Sequence, residues 1–215
     1  MKKFRCIFVA LAVLMFAVPS FAEGTIRDDL YGSWKWSDSD GVKLVAFLPS
    51  CDGMSEYIFR KANSLKPLAS GQAGFGDNGG FSMFKQEGNL YEISSVTKIS
   101  DNEYKLVNSS GGGIIRLTRF VDKALSNDYL KRARSLYNNK KYFEAYELAA
   151  RASIINPKNV DALLLQADYY ARENDFNSCY EICMKIRKID PRNKKVTRNL
   201  KWAEDKIKKS QEQGI

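Results

Sequence analysis

Two periodicities divide the chain. Between residues 32 and 120, apolar and polar residues alternate over short runs, which predicts strands at 33–36, 42–48, 55–60, 81–86, 90–99, 103–108 and 114–119. Turn residues separate them: Asp40-Gly41, Asp52-Gly53, Gly76 to Gly80, Gly88-Asn89, Asp101-Asn102 and Gly111 to Gly113. Beyond residue 125 the apolar positions recur every three or four residues. Tyr129, Ala133 and Leu136 are followed by Tyr142, Ala145, Ala149 and Ala152; Leu163, Ala167 and Tyr170 are followed by Phe176, Cys179, Cys183 and Ile186. Each set predicts one amphipathic helix. A fifth helix is expected at 194–210 from the stripe Val196, Leu200, Ala203 and Ile207.

The helices are punctuated by a repeated phrase. Ile155-Asn-Pro-Lys-Asn159 returns as Ile189-Asp-Pro-Arg-Asn193, a period of 34 residues. Proline cannot continue a helix and disfavours helical backbone at the residue before it. The asparagine two places later is suited to cap the next helix. The phrase is therefore a stop succeeded by a start, and it predicts two helix–turn–helix units, about 126–159 and 160–193, with turns at 138–141 and 173–175.

These units resemble the tetratricopeptide repeat family. Tyr129, Ala133 and Leu136 fall on the family's first-helix pattern, Ala145, Ala149 and Ala152 on its second-helix pattern, and Pro157 on its proline. In the second unit the same places hold Leu163, Ala167 and Tyr170, then Cys179, Cys183 and Ile186, then Pro191. Ala149 departs from the pattern where a bulky residue is usual, and Cys179 and Ile186 depart where alanine is usual. Such arrays need about three repeats for stability. With two, the last helix must act as a solvating cap, and the first pair is expected to dock on the N-terminal half or on a second subunit. The resemblance implies that the first helix of each pair lines a groove, which places Asn127, Leu130, Arg134, Tyr137, Asp161, Leu164, Asp168 and Arg172 on the partner-binding face. The chaperone-binding variety of the family grips a terminal carboxylate with Lys and Asn in its first repeat; Leu130 and Arg134 occupy those places here, so that activity does not carry over.

The regular strands of the first half suggest an antiparallel meander, closing into a small barrel or folding as a sandwich. Leu30-Tyr-Gly-Ser-Trp34 is similar to the Gly-x-Trp opening of lipocalin-like (calycin) barrels, in which the tryptophan plugs one end of the barrel. The expected fold class is thus α+β, with an antiparallel β domain over 23–120 and an all-α repeat domain over 121–215, joined near residues 121–125.

Residues 1–22 read as a cleavable signal peptide. Lys2, Lys3 and Arg5 precede an apolar run too short for a membrane span, and Ser20-Phe21-Ala22 follows, with small residues at the two positions a signal peptidase reads. This predicts a periplasmic or secreted protein. Charge is unevenly spread: residues 23–119 hold 11 Lys+Arg against 12 Asp+Glu, whereas residues 185–209 hold 11 against 3. Export disfavours nucleic acid as a partner of this basic tail. An anionic membrane surface, an acidic envelope polymer or an acidic protein fits better, while a solvated face on a cap helix is the plainer account.

Histidine is absent, which removes the Ser-His and Cys-His pairs of nucleophilic catalysis. Gly74-x-Gly76-x-x-Gly79 spells a dinucleotide-binding loop, but the next residues, Gly80 to Gln86, alternate like a strand where a helix is required, so a hairpin is expected. Cys179 and Cys183 lie one helical turn apart on packing positions, where cysteine serves as a small hydrophobe, and too few soft ligands accompany them for a zinc cage. No cofactor, metal or enzymatic activity is expected. The expected function is non-catalytic: an exported adaptor that binds a protein segment in its groove. A carrier of a small apolar ligand inside the barrel is the alternative, and self-association through the repeats is a third reading.

Overall fold

The computed structural model describes residues 28–50, 55–75, 80–85 and 88–212; the expected signal segment and Cys51 lie outside these residues. A 3-10 turn (Asp28–Leu30) leads into eight strands: β1 (Gly32–Asp38), β2 (Gly41–Pro49), β3 (Ser55–Arg60), β4 (Pro67–Phe75), β5 (Phe81–Lys85), β6 (Gly88–Ser100), β7 (Glu103–Asn108) and β8 (Ile114–Arg119). Each pairs antiparallel with the next, and β1 pairs with β8, with Trp34 opposite Arg119 and Trp36 opposite Leu117, so the sheet is a closed barrel. The sandwich alternative is thereby removed, and the fold is consistent with a lipocalin-like barrel.

Alternation supplies the barrel core. Trp34 and Trp36, Val45 and Phe47, Tyr57 and Phe59, Phe81 and Met83, Tyr104 and Leu106, and Ile115 and Leu117 pack into one buried cluster. Aromatic edges meet across the interior: Trp36 lies 5.0 Å from Phe59 and 5.0 Å from Tyr91, and Phe47 lies 5.9 Å from Phe81. Trp34 is fully buried in this cluster. Its indole N–H donates to the Leu30 carbonyl (2.7 Å), its ring meets Tyr104 edge-on, and the Arg119 guanidinium stacks 3.6 Å from its centroid. Arg119 also donates to the carbonyls of Tyr31 and Asp29, closing the barrel end over the 3-10 turn.

Strand β4 is absent from the sequence expectation. Its inward positions, Ala69, Gly71 and Ala73, are small because large rings from the facing strands occupy the interior. A Cβ on Gly71 would lie 1.9 Å from the Phe84 carbonyl oxygen of β5. Gly71→Ala is therefore expected to force the β4–β5 pair apart and lower stability by about 1–3 kcal/mol, read as a shift of the urea midpoint. Because β4 runs into β5 antiparallel, the Gly74 motif is flanked by strands, as the hairpin expectation requires; residues 76–79 lie outside the described residues.

Five helices come next: α1 (Lys123–Asn138), α2 (Tyr142–Ile155), α3 (Val160–Arg172), α4 (Phe176–Ile189) and α5 (Lys194–Glu212). They form two antiparallel pairs and a terminal helix, each packed on its predecessor. The repeated phrase acts as expected. Asn159 Oδ1 accepts from Ala162 N–H (3.2 Å) and Asn193 Oδ1 from Val196 N–H (3.2 Å), so each asparagine caps the helix after it. Asn159 also donates to Ser126 Oγ of α1 (2.9 Å), tying the second pair to the first. The two inter-helix turns reverse through left-handed residues, Lys140 at φ 62° and Asn174 at φ 61°. Gln166 reaches over the small Ala149, donating to its carbonyl and to Ser153 Oγ. Cys179 and Cys183 are buried in the α3–α4–α5 core. Among the described residues, no helix is long and apolar enough to cross a membrane.

The helices are docked on the barrel wall. Strand β2 is buried on both faces: Val45 and Phe47 turn inward, while Ala46 and Leu48 pack with Leu125, Tyr129 and Leu130 of α1 and Ala152 and Ile155 of α2. That two-sided burial accounts for the unbroken apolar run Leu44–Leu48. Polar contacts fasten the same junction. Asp122 caps α1 through Leu125 N–H (3.0 Å) and is paired, fully buried, with Arg60 of β3. Arg151 of α2 forms a two-pronged ion pair with Glu56 of β3, at 2.6 and 2.9 Å. The first helix pair thus docks on the N-terminal half, one of the two arrangements expected.

Candidate functional site

Helices α1, α3 and α5 present a common face. On it the structure brings together six of the eight residues expected there: Arg134, Tyr137, Asp161, Leu164, Asp168 and Arg172. Arg134 donates to Asp161 across the α1–α3 seam (2.7 Å). Tyr137 donates its hydroxyl to Asp168, which also accepts from Arg172 Nε (2.9 Å), and Arg172 donates back to the Tyr137 oxygen (2.8 Å). The Arg172 guanidinium lies 4.2 Å from the Tyr142 ring centroid. Burial raises the Tyr137 hydroxyl above its ordinary pKa, and the Asp168 carboxylate adds to that, with Arg172 opposing it. The bonds to Asp168 and Tyr137 hold Arg172 more firmly charged than usual.

Asn127 is exposed on α1 and takes no part in this network. Leu130 is a correction. It is 6 % exposed and packs in the helix–barrel junction, because docking of α1 on β2 covers the side of the helix that the repeat pattern assigns to a groove.

Two clefts open along this face. One, of about 180 Å³, is lined by Arg134, Tyr137, Asp161, Leu164, Leu165, Asp168 and Lys195. The other, of about 300 Å³, is lined by Asp168, Ala171, Cys179, Arg198, Asn199 and Trp202. Asp168 stands between them. The α5 contributions, Lys195, Arg198, Asn199 and Trp202, were not placed on the groove by sequence reasoning, which read that helix as a solvating cap whose basic face could meet an anionic surface or an acidic partner. The legible signal is that Lys195, Arg198, Trp202 and Lys206 lie at helical spacing on one flank of its apolar stripe. Trp202 meets Phe176 edge-on at 5.3 Å, and Lys206 lies over the same Phe176 ring. Cys179 borders the larger cleft; its hydrogen bond with Cys183 lowers the Cys179 thiol pKa and, together with burial, raises that of Cys183.

The groove's ion pairs contribute little to folding. Arg134 and Asp161 are each more than half exposed, so Arg134→Ala is expected to change stability by less than about 1 kcal/mol. Thermal melting of the variant checks this, and an unchanged melt makes the position usable for binding tests.

A third cleft, of about 130 Å³, lies at a barrel mouth among Asp38, Ser39, Asp40, Tyr91, Asn108, Gly113, Ile114 and Ile115. Burial raises the Asp38 carboxyl, but bonds from the Trp36 indole (2.7 Å), Asp40 N–H (2.9 Å) and Lys43 (3.3 Å) outweigh it and leave the pKa low. These bonds engage Asp38 in holding the β1–β2 turn. Among the described residues, no cluster of three or more His, Cys, Asp or Glu side chains could hold a metal ion. No family model matches the chain, and no curated protein matches it in sequence.

Proposed function

We propose that this is an exported, non-catalytic binding protein whose helices form a tetratricopeptide-type array that docks a segment of another envelope protein. The observation that carries the reading is the pair of adjoining clefts on the α1–α3–α5 face, bordered on the α1–α3 side by side chains held in place by one another. Preorganised polar groups around apolar depressions suit recognition of an extended or helical segment. The barrel supports this role mechanically, giving the first helix pair the packing partner that a preceding repeat would otherwise supply. The carrier alternative draws less support, since aromatic side chains of the barrel itself meet across its interior.

Removing the helices is a poor test, because it would uncover Ala46 and Leu48 on the barrel wall. A photo-crosslinking residue placed at Leu164 in the full chain, with a second at exposed Lys105 on the barrel, separates the readings. Crosslinks to an envelope protein from position 164, lost on Arg134→Glu, are expected. Crosslinks from position 105 alone, or lipid co-purifying with the chain in native mass spectrometry, would favour the barrel as the functional part.

A further inference from the structure

The groove is not electrostatically neutral, and its excess lies on one side. Both carboxylates that line the two clefts are engaged: Asp161 by Arg134, and Asp168 by Arg172 and the Tyr137 hydroxyl. Lys195 and Arg198, on the opposite wall, form no ion pair among the described residues, and both are exposed. Lys195 borders the smaller cleft and Arg198 the larger, so two uncommitted cations flank the Asp168 ridge. The larger cleft adds an apolar element: its lining includes Ala171, Cys179 and the ring of Trp202, itself 38 % exposed.

We infer that the occupant of the groove is an acidic peptide segment of a partner protein, with carboxylates paired to Lys195 and Arg198 and one apolar side chain seated against Trp202. This inference rests on the docking function proposed above and narrows it to a ligand class. A carboxylate between Lys195 and Arg198 would supply the counter-charge that the groove's own acids do not, since those are saturated by Arg134 and Arg172. An apolar side chain in the larger cleft would cover the exposed indole face. Anionic lipid headgroups or a nucleic-acid backbone could meet the same cations, but neither carries the protruding apolar side chain that the depression beside Trp202 would accept. Electrostatic complementarity of this kind selects the partner and speeds encounter more than it deepens affinity.

The test is to pan phage-displayed random peptides against the full chain lacking residues 1–22. A variant carrying Lys195→Glu and Arg198→Glu serves as comparison, as do vesicles containing phosphatidylglycerol. Both substituted residues are exposed, so matching thermal melts will show that the variant is folded. Trp34 and Trp36 are buried in the barrel, so a ligand-induced change in the solvent-exposed tryptophan emission reports on Trp202. The expected result is enrichment of peptides with several Asp or Glu around one bulky apolar residue. Their binding should shift the Trp202 emission, weaken with added salt, and fall about tenfold or more in the double variant. Selected peptides without acidic bias that bind at the groove and are displaced by Leu164→Glu would overturn the acidic inference while leaving the docking function standing. Vesicle binding abolished by the double variant, with no peptide selected, would assign the cations to a membrane surface. If no peptide is selected and vesicles do not bind either, the ligand class and the docking function fall together.

Discussion

Asp122→Ala is expected to destabilise the protein by about 3–5 kcal/mol, a large effect for a single polar substitution. Arg60 and Asp122 are each 2 % exposed. Deleting the carboxylate leaves a guanidinium in the interior with only the carbonyls of Lys61 (3.1 Å), Ala62 (3.4 Å) and Ser64 (2.9 Å) to receive it. The same change removes the N-cap of α1, and the Arg60 contact that fixes where β3 meets the helices. Two companion variants divide the effect. Asp122→Asn keeps a capping oxygen and loses the charge, so its loss measures the ion pair more than the cap. Arg60→Met combined with Asp122→Ala removes both charges and should recover part of the single-mutant loss, since a buried pair is less valuable than its broken half suggests. Urea unfolding followed by circular dichroism gives all three values. Full stability in Asp122→Ala would show that Arg60 reaches water and that the junction is looser than its burial implies.

The second large effect is at Leu48. On an isolated barrel its outward side chain would face water and truncation would be harmless. Here it is 0 % exposed beneath the first helix pair, so Leu48→Ala should cost about 2–5 kcal/mol. Because Leu48 belongs to the barrel and its neighbours Leu125 and Leu130 to the helices, the loss should register in both. Near-ultraviolet signals from the barrel aromatics and far-ultraviolet signals from the helices are expected to shift together. Separate transitions, with only the barrel signal displaced, would mean that the two parts fold independently and that the shared cluster does not couple them.

Much of the helical half was legible because its instructions are local. A proline stops each pair, an asparagine three residues before the first backbone N–H it accepts from caps the next helix, and the apolar spacing holds throughout. Most barrel strands were legible for the same reason, through alternation between turns. Strand β4 was not: with Ala69, Gly71 and Ala73 facing inward it has no apolar rhythm of its own, and its identity depends on rings contributed by other strands. Closure stood only as one of two alternatives, since the β1–β8 pair joins strands at opposite ends of the β domain, Trp34 with Arg119 and Ser37 with Arg116. Leu130 was misplaced because a helical pattern shows which faces are apolar and not what covers them. The α5 wall of the groove escaped for a related reason. A cleft belongs to three helices at once, and Lys195 or Trp202 acquires its meaning only beside Asp168.

The welded junction between β2, β3 and the first helix pair gives the array a direction. One end is sealed by Arg60–Asp122, Arg151–Glu56 and the cluster around Leu48; the other finishes on a helix whose outer side meets solvent. Extra helical units could be spliced in ahead of α5 without disturbing any contact to the barrel, whereas insertion before α1 would sever all of them. Lengthening of such a scaffold, by engineering or by duplication, would therefore proceed only away from the barrel, with the positively charged terminal helix carried outward at each step.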